Sequence, residues 1–223
     1  MRTTTIMRQA VAGLTVALGA TLAMAASTAQ ALPITWTIDS SASSLTVSLP
    51  AFGATSNAAS VGGTISGDVD ATSISASSGA IDVLDDLNLT VIGNPVTGSG
   101  LGGTLSGAST PIAGGVADLS GWALTLDEGT LVSAGLGLDL DLSVSPFAFV
   151  LPTTLSTVAD LGGGVLEWLI PLNATTQVTV LGVMADVTVS GTILATGTPV
   201  PEPGTATLML LGLAGLAARR RAS

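Results

Sequence analysis

The chain has 223 residues, with fifteen acids against five arginines, no histidine, cysteine or tyrosine, and a formal charge of −10 at neutral pH. All five arginines fall at Arg2, Arg8 and Arg219 to Arg221, so residues 32–198 hold fourteen acids and no cation. That middle segment therefore has nothing to neutralise a nucleic-acid backbone, no thiolate for catalysis or metal binding, and no Ser-His-Asp or Ser-Lys arrangement. No side-chain ion pair can form within it, so its stability must come from apolar burial and backbone hydrogen bonds. It is long enough for one domain that buries roughly 70% of its extended-chain surface.

Residues 1–31 have the layout of a secretory signal peptide. Arg2 and Arg8 precede a small and apolar run from Ala10 to Ala26, and Ala29-Gln30-Ala31 forms a small-x-small cleavage site. The charged, apolar, cleavable order predicts a signal helix, engagement of the secretion machinery and a mature chain that starts at Leu32, with Ala25 as an alternative, earlier cleavage site.

Residues 32–198 form the predicted passenger domain. Period-two alternation dominates it and is clearest at Leu136–Ser145, where leucines and valines share one face and Gly, Asp and Ser the other. Further strands are predicted at Leu45–Leu49, Leu87–Val91, Trp122–Leu126, Gln177–Leu181 and Asp186–Ile193. Alternation of this kind marks strands with one buried and one wet face. Breaks such as Gly93-Asn94-Pro95, Asp127-Glu128-Gly129 and Gly162-Gly163-Gly164 read as turns. The expectation is an all-β sandwich or barrel of short antiparallel strands, with helices only in the signal and the C-terminal membrane segment. Leu155 to Trp168 is the one stretch where a short helix competes, against its three glycines. Gly62-Gly63-Thr64-Ile65-Ser66-Gly67 recurs as Gly102-Gly103-Thr104-Leu105-Ser106-Gly107. Without matching flanks, this reads as coincidence in a Gly/Ser/Thr-rich chain.

The opening of this domain, Trp36-Thr37-Ile38-Asp39 followed by Ser43-Ser44-Leu45-Thr46-Val47, resembles the first strands of the YceI family of periplasmic lipid-binding barrels. Ala42 stands where that family usually has a histidine. The resemblance spans about a dozen residues. It implies a barrel-like start and, as an alternative function, a β-barrel that holds a small apolar ligand such as a lipid or isoprenoid.

Carboxylates are the only groups here able to transfer protons at neutral pH. Two of them, Glu128 and Glu167, keep open a carboxylate-dependent glycosidase as a second alternative, with Trp36, Trp122 and Trp168 as the aromatics available to line a sugar site. The pairs Asp68/Asp70 and Asp139/Asp141 each place two carboxylates on one side of a strand. The preferred reading is a wet face made soluble by aspartate. The metal reading is weak Ca²⁺ held by hard oxygens, and loose, millimolar-range binding by the acidic surface is expected rather than a cage. Otherwise no cofactor is expected. Asn88-Leu89-Thr90 and Asn173-Ala174-Thr175 match a glycosylation pattern and read as chance in a Thr-rich chain.

Residues 199–223 carry the most specific signal. Val200-Pro201-Glu202-Pro203 is followed by an apolar run from Thr205 to Ala218 and then by Arg219-Arg220-Arg221. As a helix the run would span roughly 21 Å at ~1.5 Å per residue, short of a ~30 Å hydrocarbon core. It could still cross by local thinning, with the arginines snorkelling to the interface. The prolines keep the preceding segment extended and outside the helix, and the arginines hold their end in the cytoplasm. This order of parts resembles the PEP-CTERM protein-sorting tail of exported bacterial proteins. The resemblance implies that an exosortase, a membrane peptidase-transferase, recognises Pro201, Glu202 and Pro203, with Arg219 to Arg221 as the stop signal. It further implies anchoring by the C-terminal helix, then processing and delivery to the cell surface or extracellular matrix. The expected function is thus that of a non-catalytic exported surface or matrix protein, with matrix polysaccharide as an expected partner.

Overall fold

The computed structural model describes residues 31–180, 182–200 and 212–213. Residues 1–30 of the predicted signal segment, with Ala29, and the predicted C-terminal segment apart from 212–213, with Pro201 to Pro203 and Arg219 to Arg221, lie outside the described residues.

The described chain is all-β. Its first four strands are β1 (Leu32–Ile38), β2 (Ser44–Leu49), β3 (Ala54–Thr55) and β4 (Ala59–Val69), with a 3₁₀ turn at Pro50–Phe52. Then come β5 (Ser73–Ala76), β6 (Ser78–Val83), β7 (Leu87–Val91), β8 (Asn94–Ala113) and β9 (Val116–Asp118). The last six are β10 (Ala123–Ser133), β11 (Leu138–Asp141), β12 (Phe147–Val150), β13 (Leu155–Gly162), β14 (Val165–Val180) and β15 (Val183–Gly197).

The choice between sandwich and barrel is decided by hydrogen bonding. Going round, β8 pairs β9, then β13, β14, β15, β1, β4 and β6 follow, and β6 pairs β8 again. Every step is antiparallel, which a closed ring allows only with an even number of strands. This girdle has no free edge for another chain to extend, the hazard that barrels remove. Beyond it the longest strands run on, since β8, β14 and β15 are 20, 16 and 15 residues long. These are not the short strands that the alternation predicts. In this second storey β8 is flanked by β7 and β10, and β10 by β11 and β12. Across from them, β14 pairs β15, and β15 pairs β2. The protein is therefore a closed barrel at one end that opens into two facing sheets at the other.

Local sequence explains most of these strands. β6 and β7 alternate strictly between exposed and buried positions, as one-sided burial requires. The strand predicted over Leu136–Ser145 is shorter than its alternation. β11 stops at Asp141, whose Oδ1 accepts hydrogen bonds from the Ser143 N–H at 2.9 Å and the Ser143 hydroxyl at 2.6 Å. The aspartate so bends the chain into a turn and leaves Val144 78% exposed. The Leu155–Trp168 stretch is a β13–β14 hairpin, and its three glycines all adopt positive φ at the tip.

The hexapeptide recurrence is structural. β4 and β8 flank β6 in the same register: Gly62 and Gly102 both face Asp82, Gly63 and Gly103 face Ile81, and Thr64 and Thr104 face Ala80. A Cβ on Gly63 would collide with the Ala80 carbonyl, and one on Gly103 with the Thr125 carbonyl. Each Gly-Gly pair thus lets a neighbouring strand come close, which the flanking residues do not report.

Three tryptophans fill the closed end. Trp168 lies between Trp36 and Trp122, with ring centroids 5.4 and 5.6 Å away. Edge-on and tilted arrangements at such distances are favourable beyond simple burial. Trp168 Nε1 donates to the Ser156 hydroxyl at 3.1 Å, which in turn donates to the Ala117 carbonyl. Trp122 Nε1 donates to Thr110 Oγ1 at 3.1 Å, and its indole lies where a Cβ on Gly107 would be. The buried Trp36 Nε1 has no hydrogen-bond partner among the described residues, which carries a desolvation penalty of about 1–3 kcal/mol.

Candidate functional site

The barrel delivers the start of the predicted sorting segment without a long linker. β15 ends at Gly197, and Val200, the first residue of the predicted motif, donates its N–H to the Pro33 carbonyl at 2.9 Å. Val200 is 59% exposed. The Pro-Glu-Pro sequence thus begins directly after a residue tied to β1, at the closed end of the barrel.

At the opposite end the two facing sheets enclose an apolar cavity of about 140 Å³, partly open to solvent. Leu87, Leu89, Leu101, Phe149 and Val187 line its buried part. Leu131, Leu136, Leu138, Leu140 and Val178 are half-buried and form its rim. Among the described lining residues, Thr179 alone carries a polar side-chain atom. Sequence reasoning missed this cavity because its walls come from eight strands, none of which differs from an ordinary core strand. The one sequence signal was the run of leucines at alternate positions in β11.

The acidic pairs behave differently from one another. Asp70 lies just past the end of β4, where its Oδ1 accepts from the Thr72 N–H at 2.6 Å, the Thr72 hydroxyl at 2.9 Å and the Ser73 N–H at 2.6 Å. Its Oδ2 accepts from the Ser73 hydroxyl at 3.0 Å. Asp68 stays on β4 and is exposed. Asp139 and Asp141 both lie on the exposed face of β11, with Asp141 engaged by Ser143. Among the described residues no group of three or more acidic side chains is placed to hold a metal ion. The local turns account for Asp70 and Asp141, which act as caps for the backbone that follows them.

Such caps shift acidity. The Thr72 N–H holds the Asp70 carboxyl below its ordinary range, as the Ser60 N–H does for Asp85, while the Ser41 and Ser143 hydroxyls do the same for Asp39 and Asp141. A carboxyl whose folded pKa is depressed adds stability that is present above its unfolded value and is lost as pH falls through the folded one. Residues 32–198 contain no His, Cys, Tyr or Lys, the groups that titrate between about pH 5 and 10. We therefore expect a melting temperature that is level from about pH 5.5 to 9 and falls below about pH 4. The measurement belongs in about 0.15 M salt, where long-range repulsion among the acids is screened. A melting temperature that climbs on acidification through pH 4 would contradict this assignment of the four carboxylates.

The glycosidase candidates are not brought together by pairing. Glu128 lies at an irregularity of β10 opposite Gly102, and Glu167 on β14 between Ala159 and Thr196. The three indoles expected to be available for a sugar site are all at least 98% buried in the core. No described helix is long and apolar enough to cross a membrane.

Fold and termini together define an acidic all-β barrel that leads straight into a sorting segment. Residues 199–221 match the family model of the PEP-CTERM protein-sorting motif, so this is a PEP-CTERM domain-containing protein, and the motif implies exosortase-related export and sorting. No curated protein and no solved structure matches the chain.

Proposed function

We propose that the chain is a non-catalytic exported protein, held at a membrane by the apolar helix after Pro203 and released by exosortase processing to the cell surface or extracellular matrix. The observation that carries this reading is the match at residues 199–221. The placement of Val200 supports it: the barrel ends where the motif starts, so little free chain separates passenger from membrane. The Pro-Glu-Pro segment serves as the recognition element, Arg219 to Arg221 stop transfer, and the barrel is the cargo. Its lack of cations suits a soluble passenger that self-repels mildly. The test is a variant with Pro201, Glu202 and Pro203 all changed to alanine and expressed in the native host. The protein should then stay with the membrane at full mature length.

In the finer part of this proposal, the acidic outer face meets anionic matrix polysaccharide through loosely held calcium. Two of the four candidate aspartates, Asp70 and Asp141, already accept hydrogen bonds from their own turns, so weak binding without a cage is expected. Calorimetry with millimolar CaCl₂ should show a small, non-saturating heat. No heat at all would remove calcium from the account.

A further inference from the structure

We propose that the cavity at the open end of the barrel binds the hydrocarbon tail of a free single-chain amphiphile whose head group is uncharged or cationic. The tail site rests on the cavity and its surroundings alone, while the choice of a free ligand over one drawn from a bilayer rests on the sorting reading.

Size and chemistry come first. At about 140 Å³, the cavity is close to an engineered apolar cavity of ~150 Å³ that stays dry and accepts benzene. A ligand would therefore place about six carbons inside. The walls are aliphatic and aromatic, and the one hydroxyl, on Thr179, belongs to an exposed position that suits a head group rather than a tail.

The location of the mouth follows from the strand register. Lining residues Val91 and Val96 flank the β7–β8 turn, and Val178 and Val187 approach the β14–β15 turn from either side. Ser133 donates its hydroxyl to the Pro95 carbonyl at 2.6 Å, tying the β10–β11 turn to the β7–β8 hairpin. Two apolar side chains extend this rim into solvent: Ile92 is 65% exposed and Met184 69%. Ile92 is also held at φ +50°, a conformation that β-branched residues rarely adopt. Along β15, Val187 at the cavity and Gly197 at the tail end are separated by roughly 33 Å at ~3.3 Å per residue. The mouth therefore lies at the end of the barrel remote from the point where the sorting tail begins. The ligand is best supplied from the surroundings rather than from the bilayer that holds the tail.

Charge selects the head group. Asp139 and Asp141 lie on the outer face of β11, opposite the lining residues Leu138 and Leu140, and Asp186 precedes Val187 on β15, so all three act on the mouth through their field rather than by contact. All three aspartates are exposed. Since residues 32–198 hold no arginine, lysine or histidine, nothing in the domain can offset a carboxylate or phosphate at the mouth.

The test uses the protein purified after export, titrated by saturation-transfer NMR with 1-butanol, 1-hexanol, hexanoate and hexyltrimethylammonium. Each buried methylene should tighten binding about fourfold, so hexanol should bind roughly fifteenfold more tightly than butanol. Hexanoate should bind more weakly than hexanol, and hexyltrimethylammonium at least as tightly. Leu140→Trp and Val178→Phe fill the cavity from opposite sheets, and whichever variant keeps the parent's melting temperature should lose hexanol binding. Equal affinity for butanol and hexanol, hexanoate matching hexanol, or binding retained in a folded cavity-filled variant would each overturn the proposal. So would association with phosphatidylcholine vesicles without binding of free hexanol, which would make the open end a bilayer-contact surface instead.

Discussion

A Trp168→Ala protein is expected to lose about 3–5 kcal/mol of stability, the range for deleting a buried aromatic from a core. Trp168 is fully buried between the other two indoles and sends its N–H to Ser156, so truncation removes two ring contacts and a buried hydrogen bond together. Domains of this kind have roughly 5–15 kcal/mol in total, so the variant should be near its unfolding transition under mild conditions. Urea melts monitored by far-UV circular dichroism provide the measurement. Glu167→Gln is the internal control, because its side chain is on the opposite face of β14, and it should change stability by less than about 0.5 kcal/mol. A Trp168→Ala loss below about 1 kcal/mol would mean that the closed end is not the barrel's main core.

The second large effect concerns destination rather than stability. Replacing Pro201, Glu202 and Pro203 with alanine should leave the barrel's melting temperature unchanged, because the barrel's strands end at Gly197, ahead of the replaced residues, and Val200, which is kept, ties the segment to β1. It should nevertheless abolish surface delivery. Proline fixes φ and disfavours helix in the residue before it. With alanines instead, the apolar helix can grow backward through the motif and bury the extended segment that a peptidase would need. Fractionation of the native host should show the variant in the membrane and little at the surface. Equal surface amounts for both proteins would show that the motif is dispensable.

Much of the fold was legible because a one-sided strand writes its burial directly into the sequence. β7 and the first part of β10 were read residue by residue, whereas β6, which alternates just as strictly, was not picked out. Alternation failed where a side chain competed with the ladder: Asp141 draws the following backbone into a turn, and Val144 then has no core to face. Closure was not legible, because alternation is the same in a sandwich and a barrel and only pairing between distant segments distinguishes them. The Gly-Gly recurrence did encode part of that pairing. Its meaning is the shared register of β4 and β8 on β6, which depends on the partner strand rather than on neighbours in sequence.

The two candidate sites contrast in the same way. The sorting tail was readable because its signal is local: prolines, an apolar run and arginines in a fixed order. The cavity was not, because it is the space left where two sheets diverge, and no single strand records it. The tryptophans illustrate the limit of composition. They are the three largest side chains available to line a surface site, yet the barrel uses them as the centre of its core.

The most direct test of the account is the intact mass of the protein recovered from the surface of its own cells. Trypsin mapping is of little use, because no arginine or lysine lies between Arg8 and Arg219, so cleavage at acidic residues should accompany the mass. The account predicts a species that starts near Leu32, ends close to Pro201 and lacks Arg219 to Arg221. A surface protein whose mass still includes Arg221 would contradict release by processing at the sorting motif.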